Sequence, residues 1–192
     1  MEAFSDGVIA ILITIMVLEL RPPHEPTLAA LRTLTPNFAA YALSFVFLGI
    51  YWNNHHHMLH ATRRVTGPML WANLHLLFWL SLVPFATAWV GDSHHESLPT
   101  AAYGMVLMLS GIAYYILERT IMAAEGASST LAEAVGQETK GIISVLLYGL
   151  AIVLAFVYER VSDVIYLGVA LMWLIPDRRI ESTVRRREQN HV

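Results

Sequence analysis

The sequence predicts an all-α integral membrane protein that crosses the bilayer six times and keeps both termini on the cytoplasmic side. Three features of the chain carry that expectation: its composition, the spacing of its apolar stretches, and the uneven distribution of its Lys and Arg. Of 192 residues, 56% are hydrophobic and only 14% charged, and the mean hydropathy is +0.51. A soluble fold of this size cannot hide several apolar segments of roughly 20 residues each. The formal charge of -3 gives no footing for nucleic acid. With no cysteine, disulfides, thiolate catalysis and sulfur-ligated metals are excluded together.

The spans follow in order, separated by Pro, Gly and charged residues. The first, Phe4–Leu20, has an acidic flank and no small-residue cleavage pattern, so it reads as a retained helix rather than a signal peptide. "RPPHEP" ends it, because adjacent prolines cannot continue a helix. Thr35-Pro36 then offers a cap and a first-turn proline for the second span, Asn37–Leu59. The third, Met69–Val90, stops at the polar "GDSHHES", and Pro99 precedes the fourth, Ala101–Ala123. Gly141–Tyr158 and a short Val164–Ile175 complete the set. Residues 1–176 thus form one transmembrane domain, and 177–192 a basic cytoplasmic tail.

Orientation comes from the basic residues, which stay cytoplasmic. Arg63, Arg64, Arg119, Lys140, Arg178, Arg179 and Arg185 to Arg187 fall on one side; only Arg21, Arg32 and Arg160 fall on the other. Both termini are therefore expected inside, with the tail as a topogenic flank or a contact for anionic lipid.

On a helix turning 100° per residue, Phe4, Gly7, Ile11, Ile15 and Leu18 lie within roughly 40° of one line, with Thr14 at its edge. Asp6 lies about 140° from Ile11 and must face another helix. Glu19 sits at the outer interface. A stripe of this kind packs, meets lipid, or lines a water path. The last needs symmetric copies that bring the stripe around an axis.

"YWNNHHHMLH" places Asn53, Asn54, His55, His56, His57 and His60 at the inner end of the second span. A metal site would use His56 and His60, at i and i+4 on one face, although the remaining histidines are scattered. A proton relay would use His55 with Asp6. The favoured reading is a hydrogen-bonded knot in which Asp6 pairs with His55 or His56, because polar groups at membrane depth must find partners. His57 and His60 then face headgroups or water.

"FSDG" followed by "VIAILITIMVLEL", then "YWNNHHH", then "LWANLHLLFWLSLVPFATAWVG" resemble the prokaryotic transmembrane protein 175 family of potassium channels. The motifs cover the first three spans. The family signature is an Arg, three variable residues and Phe-Ser-Asp. Phe4, Ser5 and Asp6 match, and the arginine would fall just before Met1. The resemblance implies a homotetramer of six-span subunits whose first helices line one central pore. Nothing like "TVGYG" occurs in the chain, in keeping with a family that lacks the usual filter loop. By the same resemblance, Ile11 corresponds to the hydrophobic gate, Thr14 to a polar layer that favours potassium, and Leu18 to a further apolar ring. Ile15 shares their stripe. Ser5, Asp6, Trp52, His55 and His56 would form a structural polar network, and Trp71, Asn73, Pro84 and Phe85 serve architecture, Asn73 by satisfying a neighbour's backbone.

The expectation is therefore a potassium-permeable cation channel with modest preference over sodium, in a prokaryotic cell membrane. It is no enzyme and has no resident cofactor or metal beyond the permeant potassium ions; its partners are its own copies, lipid and monovalent cations. Two other classes stay open: a proton-coupled transporter using Asp6 and His55, and a membrane metalloenzyme using His56 and His60.

Overall fold

The computed structural model describes residues 1–60, 62, 64–94, 96–125 and 138–174. The basic tail 177–192 and the end of the sixth expected span lie outside them. Among the described residues there is no strand. The helices are α1 (Glu2–Met16, continued by a 3-10 turn Val17–Glu19), α2 (Leu28–Thr33), α3 (Thr35–His60), α4 (Gly67–Ser81), α5 (Val83–Asp92), α6 (Ser97–Glu125), α7 (Glu138–Leu154) and α8 (Glu159–Leu174). Each expected span coincides with one of these, or with the pair α4 and α5.

Local chemistry explains the breaks. After Pro22, Pro23 and Pro26 the chain re-enters a helix at Thr27, whose hydroxyl accepts from the Ala30 amide at 3.1 Å. The third apolar stretch is interrupted at Leu82. Pro84 has no N–H to give to the carbonyl of residue 80, so the helix stops at Ser81 and restarts. The Thr87 hydroxyl donates to the Val83 carbonyl at 2.7 Å, in the first turn after the break. Residues 67–92 and 97–124 are each long and apolar enough to cross a bilayer.

α8, the helix at the sixth expected span, begins at Glu159, five residues before the expected Val164. Charges at 159, 160 and 163 mark a span's boundary in hydropathy, but they do not stop a helix whose first turn sits at an interface. A tight reversal between α7 and α8 is closed by the buried Ser162 hydroxyl, which donates to the Ala151 carbonyl at 2.7 Å.

α1 packs against α3, α4 and α5; α6 lies between α4 and α7; α8 covers α7 and part of α3. Two apolar clusters result. One joins Ile9, Leu12 and Met16 of α1 to Leu48, Leu76, Leu80 and Leu117. The other gathers Phe47, Tyr103, Tyr148, Tyr166 and Val169 around α6, α7 and α8. The Tyr166 hydroxyl donates to the Thr100 carbonyl at 3.0 Å. This brings its ring over Gly104, where an added Cβ would collide with the phenol.

Gly104→Ala is therefore expected to lower stability by about 1–3 kcal/mol, the ordinary cost of overpacking a tight interior contact. Thermal unfolding in detergent measures it. In a Tyr166→Phe background the loss should shrink, because the obstructing oxygen is gone.

Candidate functional site on the first helix

The two sides of α1 have opposite environments. Ser5, Ile9, Leu12 and Met16 are buried against the bundle. On the other side Phe4, Ile11 and Leu18 keep 59%, 56% and 73% of their surface uncovered, and Ile15 keeps 41%. Ala3, Gly7, Ala10, Thr14 and Val17 are exposed as well. The uncovered arc is thus wider than the stripe read from the large apolar residues, and it extends toward Ala3, Ala10 and Val17. By helical geometry it spans about 160°, and Thr14 falls near its middle rather than at its edge.

Thr14 donates its hydroxyl proton back to its own helix, with Oγ1 2.9 Å from the Ile11 carbonyl and 3.1 Å from the Ala10 carbonyl. A hydroxyl whose proton is so engaged presents its oxygen lone pairs outward.

The amino-terminal end of α1 is held by Asn73 of α4, a residue 2% exposed. Its Nδ2 donates to Ser5 Oγ at 2.9 Å, and its Oδ1 lies 2.7 Å from His55 Nε2. An amide oxygen only accepts, so this contact places the His55 proton on Nε2. Asn73 was expected to satisfy a neighbouring backbone. It instead joins two side chains on two other helices, and no periodicity or spacing in the chain announces that long-range role.

Asp6 pairs with His56 and not with His55. His56 Nδ1 lies 3.5 Å from Asp6 Oδ2 and 3.3 Å from Glu2 Oε1, with both acids and the imidazole only partly covered. Among the described residues no hydrogen bond reaches the Trp52 indole, which lies against the His56 ring, centroids 5.8 Å apart. The five residues expected in one knot therefore separate: Ser5 and His55 join Asn73 in a sealed triad, while Asp6, His56 and Trp52 join Glu2 in a half-open group. His57 is exposed, and His60 turns its Nδ1 to within 3.9 Å of Glu2 Oε1. Glu2 escaped the sequence reading because it precedes the apolar run.

Further out, a second buried thread ties α5, α3 and α6. Thr87 Oγ1 lies 2.7 Å from Ser44 Oγ, which lies 2.9 Å from the Tyr103 hydroxyl. The Met16 sulfur of α1 rests 4.0 Å from Thr87 Oγ1.

Asn73→Leu, which keeps the volume and removes both bonds, leaves His55 unpaired in the interior and Ser5 with only its bond to the Met1 carbonyl. The orphaned imidazole costs about 1–3 kcal/mol. The melting temperature in detergent should fall accordingly, and adding Ser5→Ala with His55→Leu should return part of the loss, since three apolar groups of matching shape leave no orphan behind.

The profile of the family described as "Endosomal/lysosomal potassium channel TMEM175" matches residues 1–84. A protein of Chryseobacterium sp. (strain P1-3) named as a potassium channel is 52% identical over 185 residues, covering 96% of each chain. A potassium channel of Streptomyces collinus is 34% identical over 60% of each. The fold is that of the crystal structure of a lysosomal potassium-selective channel TMEM175 homolog from Chamaesiphon minutus, with a TM-score of 0.81 at 24% identity, covering 91% of this chain and 94% of that one. A near-full-length relative at this identity, the family profile over residues 1–84 and the shared fold together leave one conclusion: the chain belongs to the TMEM175 family of ion channels.

Proposed function

We propose that this chain is the subunit of a potassium-permeable cation channel in a prokaryotic cell membrane, a homotetramer in which α1 of each copy lines one central pore. In this reading the subunit crosses the membrane six times within residues 1–176, with both termini and the basic tail 177–192 in the cytoplasm. The excess of Arg and Lys on the inner loops supports that orientation.

One observation carries the proposal. The bundle takes hold of α1 along a single side, through Ser5, Ile9, Leu12 and Met16, and the described residues leave the opposite arc of Ile11, Thr14 and Leu18 largely uncovered. Around a four-fold axis those residues become rings. A ring of Ile11 side chains excludes water and therefore ions until it widens, and Ile15 and Leu18 extend the apolar throat outward. Thr14 then offers hydroxyl oxygens to a partly dehydrated ion. A single layer of hydroxyls replaces less of the hydration shell than a cage of carbonyls, so the preference for potassium over sodium is modest.

The relay reading finds less support. Among the described residues no hydrogen bond joins Asp6 to His55, whose Nε2 is committed to Asn73.

In liposomes loaded with potassium, Ile11→Asn should raise flux severalfold, because an amide ring wets a constriction that isoleucine keeps dry. Unchanged flux from an intact oligomer removes Ile11 from the gate. Thr14→Val keeps the shape and deletes the hydroxyl. It should shift the reversal potential in mixed potassium and sodium toward equal permeability, and an unmoved potential counts against the Thr14 layer.

A further inference from the structure

Two i, i+4 pairs face one another at the amino-terminal end of α1 and the carboxy-terminal end of α3: Glu2 with Asp6, and His56 with His60. Glu2, Asp6 and His56 each offer a donor atom within 4.8 Å of the other two. We propose that Glu2, Asp6, His56 and His60 form a binding site for a divalent transition-metal ion of the zinc class, which clamps the amino-terminal end of the first helix to α3. The site goes beyond ion conduction and does not depend on it.

The distances favour a bound ion over a simple ion pair. Bonds of about 2.0–2.2 Å from zinc to nitrogen or carboxylate oxygen, set tetrahedrally, place neighbouring donors roughly 3.3–3.5 Å apart. His56 Nδ1 stands 3.3 Å from Glu2 Oε1 and 3.5 Å from Asp6 Oδ2. A protonated imidazole would aim its N–H at one of those oxygens. Here Nδ1 is shut off from solvent yet makes a hydrogen bond to neither, and Asp6 Oδ1 is likewise sealed and has no partner among the described residues. Buried polar atoms in that condition call for a partner.

His60 supplies the fourth donor. Its Nδ1 is 3.9 Å from Glu2 Oε1, its ring lies parallel to that of His56 with centroids 6.2 Å apart, and it is mostly exposed, so its ring has room to turn toward the three closer donors. Two carboxylates beside neutral imidazoles leave a local charge of about -2 that a dication neutralises. The nitrogen donors select zinc, cobalt or nickel over magnesium and calcium, which take oxygen ligands in larger number.

The test uses the full chain, freed of any affinity tag, stripped with chelator and titrated in detergent with Co2+ and then Zn2+. About one Co2+ per chain should bind, with the intense visible absorption of a tetrahedral site, and Zn2+ should displace it. Glu2→Gln and His56→Ala should each weaken binding about tenfold or more, while His57→Ala, an exposed neighbour outside the set, should leave it unchanged. If His56→Ala does not fold, Glu2→Gln decides alone, since it keeps size and shape at a half-open position. Absence of stoichiometric binding, or binding that survives Glu2→Gln, overturns the site and identifies the group as an ion pair only. Liposome flux is measured separately, so loss of the metal site and loss of the channel reading give different results.

Discussion

The rest of the molecule depends on the amide of Asn73. It stands on α4 and holds Ser5 of α1 with one end and His55 of α3 with the other, in a place where water offers no substitute. That double contact sets the rotation of α1 about its own axis. With Ser5 turned to Asn73, Ile11 lies about 120° around the helix and points away from the bundle. A slip of one residue in one sense would turn the helix about 100° and drive Ile11 toward α3, α4 and α5. Apolar packing alone would resist that slip weakly, since Phe4, Val8, Ile11 and Ile15 would then take the side now held by Ser5, Ile9, Leu12 and Met16. A directional bond between buried polar groups discriminates between rotations that hydrophobic contacts treat as nearly equal.

The carboxy-terminal half of α1 is seated differently. Ile9, Leu12 and Met16 lie in the cluster with Leu48, Leu76, Leu80 and Leu117. Behind them the thread of Thr87, Ser44 and Tyr103 joins α5, α3 and α6. The break before Pro84 matters here, because restarting the helix at Val83 brings the Thr87 hydroxyl both to a carbonyl of its own turn and to Ser44. The first helix is thus fixed by polar bonds at its amino-terminal end and by shape at its carboxy-terminal end. Such an arrangement lets the carboxy-terminal part yield under load more readily than the amino-terminal part.

The half-open group beside the anchor has its own logic. Asp6 was read from the helical wheel as facing away from the stripe, and it does so, but it meets His56 and Glu2 at the rim of the bundle instead of His55 in the interior. Consecutive histidines on a helix point about 100° apart, so neighbours in sequence enter different environments. His55 goes to the amide, His56 to the carboxylates, and His57 outward.

Composition, charge asymmetry and periodicity determined the all-helical class, the approximate positions of the helical stretches and the separation of α1 into an apolar stripe and an acid-bearing side. These are local or nearly local properties: an apolar run of about 20 residues and a 100° turn per residue read the same in any surroundings. Only the tertiary structure decided that Asn73 is the hub, that Glu2 joins Asp6 and His56, that α8 starts at Glu159, and that Thr14 lies near the middle of the uncovered arc. The physical reason is sequence distance. Ser5 and Asn73 are 68 positions apart, His55 and Asn73 18. A hydrogen bond across that gap leaves no periodic trace, because what brings its ends together is the packing of whole helices. Small residues such as Ala3 and Ala10 add almost nothing to a hydrophobic stripe, yet where neighbouring helices stop short of them they define how wide the open face becomes.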